Sequence, residues 1–124
     1  PKTTASNLHK KVFYFCKRKF PLYTILQEYT IYVDNRGVKE HLFVDILIKE
    51  ISLAIECNGE QHYKPNKFFF NGMKSFKESQ DRDERKKEWL KNNGYALAII
   101  RFDDKLNDEN LNSKIEGALI DYYG

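Results

Sequence analysis

Two carboxylates interrupt otherwise apolar stretches of this chain: Asp45 within Phe43-Val44-Asp45-Ile46-Leu47-Ile48, and Glu56 within Leu53-Ala54-Ile55-Glu56-Cys57. Acidic groups in such runs are costly to bury without compensation, and a hard divalent cation compensates both at once. Oxygen ligands with open coordination positions suit Mg²⁺ or Mn²⁺ better than zinc. The competing reading is that one carboxylate pairs with a lysine or arginine at the edge of the sheet. Just beyond, Asn58-Gly59-Glu60-Gln61-His62 turns the chain out of its strand. Gly59 permits a tight bend, and His62 would then stand above the carboxylates, where an imidazole can take a proton at neutral pH. Alone, His62 reads as an ordinary loop histidine, and His9 and His41 likewise read as histidines without a task; the ordering of Asp45, Glu56 and His62 carries the inference.

Positioning these groups requires two paired strands. The runs His41–Ile48 and Ile51–Cys57, joined through Lys49-Glu50, have the pattern of a hairpin buried on at least one face. A two-residue turn would put Asp45 opposite Ala54, with Glu56 its diagonal neighbour. A register two residues wider would set the carboxylates directly opposite, with Cβ atoms about 4.5–5.5 Å apart.

The remaining pattern supplies a frame. Residues 6–19 read as a helix that Ser6 can cap, with Leu8, Val12, Phe15, Cys16 and Lys19 on one stripe, stopped by Phe20-Pro21. Tyr23–Val33 reads as a strand, followed by the turn Asp34-Asn35-Arg36-Gly37. A loop is expected over 58–74 and a helix from about Ser75 to Asn92, ended by Asn92-Asn93-Gly94. Tyr95–Phe102 reads as an interior strand, and Asp108–Tyr123 as a closing helix with Leu111, Ile115, Leu119 and Tyr122 inward. The order αβββαβα predicts an α/β (α+β mixed) fold: a mixed β-sheet of about four strands flanked by helices.

On the helix 75–92, Asp83 and Lys86 share a face that Leu90 continues. An aspartate toward His62 and a lysine toward a phosphate would make a proton-orienting and charge-stabilising pair; the alternative is a solvated face on which Asp81, Asp83, Arg85 and Lys86 merely interleave. The segment 63–77 mixes cations with Tyr63, Phe68, Phe69, Phe70 and Phe76. Lysines against phosphates and rings against bases would suit a loop beside a cut site, while burial of Phe69 or Phe70 in the core is the more ordinary outcome.

The chain has 124 residues, 31% charged and 15% aromatic, which is one domain with material for one core. Net charge is +3, with cations gathered at Lys10, Lys11, Lys17, Arg18 and Lys19 and again at Arg85, Lys86 and Lys87. Lys64, Lys67, Lys74, Lys77, Arg85 and Arg101 are the candidates to contact a polyanion. Cys16 and Cys57 form no CxxC pattern, which excludes a disulfide scaffold or zinc ribbon and makes a reducing cytoplasm the expected compartment. No apolar stretch approaches the ~20 residues of a membrane span. Pro1 in place of methionine suggests a piece cut from a longer protein, so residues 1–124 are expected to be one catalytic domain of it.

Asp45, Ile55-Glu56-Cys57-Asn58-Gly59-Glu60-Gln61-His62, Asp83 with Lys86 and Leu90, and Gly94-Tyr95 leading to Ile99-Ile100-Arg101-Phe102 together resemble the PD-(D/E)XK nuclease superfamily. The similarity runs from about residue 6 to 102. It points to the branch of very-short-patch-repair endonucleases and phage homing endonuclease catalytic domains with an EDxHD motif. The resemblance implies a restriction-endonuclease-like fold, Mg²⁺ (or Mn²⁺) as cofactor, double-stranded DNA as substrate and cleavage leaving a 5′-phosphate. It implies metal binding by Asp45 and the Cys57 carbonyl, with Glu56 matching the superfamily's second acid, His62 as general base and Asp83 orienting it. Two departures stand out. Asn58 occupies the superfamily's lysine position, so the base role moves to His62. The first-helix glutamate of the branch aligns with His9, with Glu28 as a possible substitute.

The expected function is therefore metal-dependent DNA endonuclease activity, with target recognition in residues beyond this sequence and a homodimer as the form that would cut both strands. A non-catalytic DNA-binding relic of the same fold is the alternative, and a protein-interaction module is a third. Use of Lys, Asn, Ile, Phe and Tyr suggests an AT-rich genome, compatible with a phage or low-GC bacterium and hence with a bacterial or phage-infected host cytosol.

Overall fold

The computed structural model describes residues 6–64 and 72–124. Helix α1 (Asn7–Lys19) leads into strands β1 (Leu26–Asn35), β2 (Val38–Ile48) and β3 (Leu53–Asn58); α2 (Gly72–Asn92), β4 (Ala96–Arg101) and α3 (Asp108–Tyr123) follow. This is the expected αβββαβα order. The sheet runs β1-β2-β3-β4, antiparallel except for the parallel β3–β4 pair, whose connection is α2.

Local chemistry explains the boundaries. The Ser6 hydroxyl accepts from the His9 backbone N–H at 3.1 Å and caps α1; the Asn107 side chain does the same for α3. Arg36 and Gly37 both have positive φ, 56° and 82°, the geometry a two-residue hairpin needs between Asn35 and Val38. The first strand begins at Leu26 instead of Tyr23, because Tyr23 folds back to stack on Phe20 with ring centroids 5.7 Å apart. The second hairpin turn is a 3₁₀ turn, Lys49–Ile51, completed by Ser52 at φ 49°. Those extra residues select the wider register, Ile46↔Ile55, Leu47↔Ala54 and Ile48↔Leu53.

Two apolar layers flank the sheet. On one face Val12, Phe15 and Cys16 of α1 and Leu111 and Ile115 of α3 pack on Ile46, Ile48, Leu53, Ile55, Ala98 and Ile100. On the other, Leu90 and Trp89 of α2 pack with Ile31, Val33, Leu42, Val44, Leu47 and Ala54. Val44 and Leu47 thus share a face although they stand three positions apart, and Ile46 lies on the opposite one. The face switch falls at Asp45. Across the ladder, in the gap between Gln27↔Ile46 and Tyr29↔Val44, Glu28 has φ 48°. A side-chain alternation of period two cannot make this switch without such a break.

No helix among the described residues is long and apolar enough to cross a membrane. Lys67, a candidate for DNA contact, and Phe68, Phe69 and Phe70, candidates for DNA or core contact, lie outside the described residues.

Candidate active site at the fork of β2 and β3

The β2–β3 ladder ends at Ile46↔Ile55. At the next step the carboxylates take over the pairing. The Asp45 backbone N–H donates to Glu56 Oε2 at 2.9 Å, and the Cys57 N–H donates to Asp45 Oδ2 at 2.8 Å. The side chains thereby satisfy N–H groups that the ladder no longer serves, and the strands part with both acids fixed at the fork.

The two carboxylates have different neighbours. Glu56 is buried, and its Oε1 accepts from Lys86 Nζ of α2 at 2.7 Å. Burial pushes its carboxyl up from the ordinary range, the nearby Asp45 charge adds to this, and Lys86 opposes both. With Oε1 on the ammonium and Oε2 on the Asp45 N–H, a cation shared by Asp45 and Glu56 would have to displace Lys86. Lys86 itself, expected to face a phosphate, is held by Glu56. Asp45 instead neighbours His9 of α1 and Cys57. One ligand atom from each of these three residues lies within 4.8 Å of the others. His9 is 2% exposed, and its Nε2 is 2.9 Å from Gln27 Oε1.

On the α2 side a cleft of about 430 Å³ opens between that helix and the ends of β3 and β4. The 3₁₀ turn Glu60–His62 carries His62 to its edge, with Nδ1 3.1 Å from Asp83 Oδ2. The hydrogen bond to Asp83 raises the His62 pKa above its ordinary value, against the opposing effect of burial. Asp83 is partly buried, which works upward, but the His62 contact and the Lys86 and Lys87 charges leave its carboxyl below the usual range. Four carboxylates line the cleft (Glu56, Asp81, Asp83 and Glu84) against two ammonium groups, Lys86 and Lys87. Glu56 joins the two regions: it lines the cleft and accepts from Asp45, which itself is not among the cleft's lining residues.

The other candidates are spread around this centre. Glu28 is exposed on β1. Lys64 pairs with Glu60 at 3.3 Å, Lys77 with Asp81 at 3.6 Å, and Lys74 is exposed on α2. Arg85 makes a two-pronged contact with Glu40 of β2, at 2.8 and 3.0 Å, and so ties α2 to the hairpin. Arg101 lies over the Tyr63 ring, 3.9 Å from its centroid, and is held by Asp103. Asn58 donates to the Tyr63 hydroxyl at 3.3 Å.

Sequence reasoning passes over Gln27 as part of the site and reaches His9 only as the position that resemblance aligns with a first-helix glutamate. For His9 a signal exists: it is three residues before Val12 and seven before Cys16, on the stripe that faces the sheet, where a polar side chain requires a partner. Gln27 carries no such mark, since only the face switch at Glu28 and Asp45 brings it toward α1.

No family model matches the chain, and no solved structure matches it. Over 77 residues, 62% of this chain, it is 35% identical to Uncharacterized protein 033L of Invertebrate iridescent virus 3. The matched part spans 40% of that viral protein's length.

Proposed function

We propose that the chain is a metal-dependent DNA endonuclease domain of PD-(D/E)XK type that hydrolyses phosphodiester bonds. The observation that carries the reading is the His62–Asp83 pair at the exit of β3, linked through Glu56 to Asp45 at the fork. Asp45 fits a divalent cation: the Cys57 N–H takes one of its roughly four lone-pair sites, which leaves the others for coordination. Glu56 does not fit as a ligand while Lys86 holds it. The acid-rich cleft adds support, because a phosphate diester entering among four carboxylates needs added positive charge.

When bound, the cation supplies Lewis-acid charge against the phosphate. Asp83 accepts the Nδ1–H of His62 and so fixes the tautomer whose Nε2 has a lone pair. That nitrogen takes a proton from the attacking water. Lys86 keeps Glu56 ionised and in place as the acceptor for the Asp45 N–H, which holds the fork. Lys87, which lines the cleft, and Arg101, which lies over the cleft-lining Tyr63, are the cations assigned to flanking phosphates.

Plasmid cleavage tests this. Nicking or linearisation is expected with Mg²⁺ or Mn²⁺ and not in EDTA, Asp45→Ala is expected to be inactive, and His62→Ala should lose about 10²–10⁴-fold in turnover. Equal cutting by His62→Ala would remove the base from the mechanism. The Lys86–Glu56 pair also favours a second reading, a DNA-binding relic whose second acid has become structural. Salt-sensitive duplex binding with no cutting in any divalent cation would establish that instead.

A further inference from the structure

The fork holds donors of three kinds: an imidazole nitrogen from His9 on α1, a carboxylate oxygen from Asp45 on β2 and a sulfur from Cys57 on β3, all within 4.8 Å of one another. Around a tetrahedral ion with bonds of about 2.0–2.3 Å, such atoms stand roughly 3.3–3.6 Å apart. Closing the remaining distance of about 1 Å is within the reach of rotamer adjustment in three side chains. With Gln27 Oε1 accepting from His9 Nε2–H at 2.9 Å, Nδ1 keeps its lone pair and the buried ring is held in orientation. The Cys57 N–H fixes Asp45 Oδ2.

The donor types discriminate between ions. Mg²⁺ demands octahedral oxygen ligation and keeps its waters, whereas imidazole and thiolate suit the borderline transition ions. We propose that His9, Asp45 and Cys57 form a three-ligand centre for a thiophilic divalent ion of the Zn²⁺ and Co²⁺ class, with a fourth position open. Binding would release the Cys57 thiol proton to solvent and so tighten as pH rises. As an account of the ion that serves hydrolysis, this rests on the nuclease reading above; as a binding site it does not.

Co²⁺ titration of the intact chain tests the centre through the near-ultraviolet absorption of a thiolate–cobalt bond. One equivalent should produce the band, one equivalent of Zn²⁺ should abolish it, and a large excess of Mg²⁺ should leave it. Cys57→Ser should lose the band. Gln27→Ala, a change at an exposed position that spares the core, should weaken Co²⁺ binding about 10–100-fold. No band in wild type folded by circular dichroism, or a band that survives in Cys57→Ser, overturns the proposal. Mg²⁺-driven DNA cleavage without a cobalt band would keep the nuclease and remove this centre. A cobalt band without cleavage under any ion would keep the centre and remove the nuclease.

Discussion

Lys86→Met leaves the Glu56 carboxylate buried without its cation. The side chains of this pair are 14% and 8% exposed and 2.7 Å apart, so the pair is largely withdrawn from water. Removing one partner of a buried pair typically costs about 3–5 kcal/mol. Glu56 has one escape, which is to take a proton. At pH 7 that costs roughly 3.7 kcal/mol for an acid whose unfolded pKa is about 4.3, and this caps the penalty. At pH 5 the same cap falls to about 1 kcal/mol. The sign agrees with the folded-state shift: a carboxyl whose pKa is raised on folding favours the folded state below its unfolded pKa and loses that contribution as pH climbs through the folded value. Urea unfolding of wild type, Lys86→Met, Glu56→Gln and the double variant at both pH values measures the effect. The expected loss for Lys86→Met is about 3 kcal/mol at pH 7, or roughly 10 °C in Tm. It should shrink by more than half at pH 5, and the double variant should regain most of it. A loss below about 0.5 kcal/mol at pH 7, or one equal at the two pH values, would refute the claim that Lys86 neutralises Glu56.

Other outcomes follow from the same geometry. His62, raised by its Asp83 contact, should return toward about 6.5 in Asp83→Asn, read from ring-proton NMR titration. The pair's contribution to stability should be complete below about pH 6.5 and disappear as pH rises through the folded His62 pKa, and the unfolding midpoint of Asp83→Asn should lack that dependence. Burial pushes the Cys16 thiol up to about 12, so in a Cys57→Ser background a thiol reagent at pH 8 should leave the native protein unlabelled and modify it only after denaturation. Gly37 sits at φ 82°, and although a methyl group there meets nothing within 4 Å, Gly37→Val should cost about 1 kcal/mol or more through backbone strain alone, measured by thermal unfolding.

The element order is legible in the sequence because each segment announces itself by period or punctuation. Asp108–Tyr123 reads with its observed limits. Helix α2 begins three residues before the expected Ser75, since Gly72-Met73-Lys74 offers neither cap nor apolar stripe. Convergence of Asp45 and Glu56 is legible, but the choice between registers is not. It depends on a 3₁₀ turn and a left-handed Ser52, conformations that Lys49-Glu50-Ile51-Ser52 does not advertise. The pairing of His62 with Asp83, 21 residues away, rests in the sequence on the helix face that Asp83 shares with Lys86 and on resemblance, since no local period links the two. The capture of Lys86 by Glu56 corresponds to the alternative reading of one carboxylate paired with a lysine.

What periodicity conceals most completely is the change of face at Asp45. Phe43 to Ile48 reads as one alternating strand, and strict alternation would put Val44, Ile46 and Ile48 together. They are not together: Val44 packs under α2, and Ile46 and Ile48 pack under α1 and α3. The break has a consequence for the acids. Without it, Asp45 and Glu56, adjacent in register, would compete for the same neighbours on one face, and two like charges would share one burial site. With it, Glu56 reaches across to Lys86 while the Asp45 carboxylate comes within 4.8 Å of ligand atoms of His9 and Cys57. The positive φ of Glu28 lies opposite this break and accompanies it across the ladder. The strained backbone of β1 and the separation of the two carboxylates are therefore one feature.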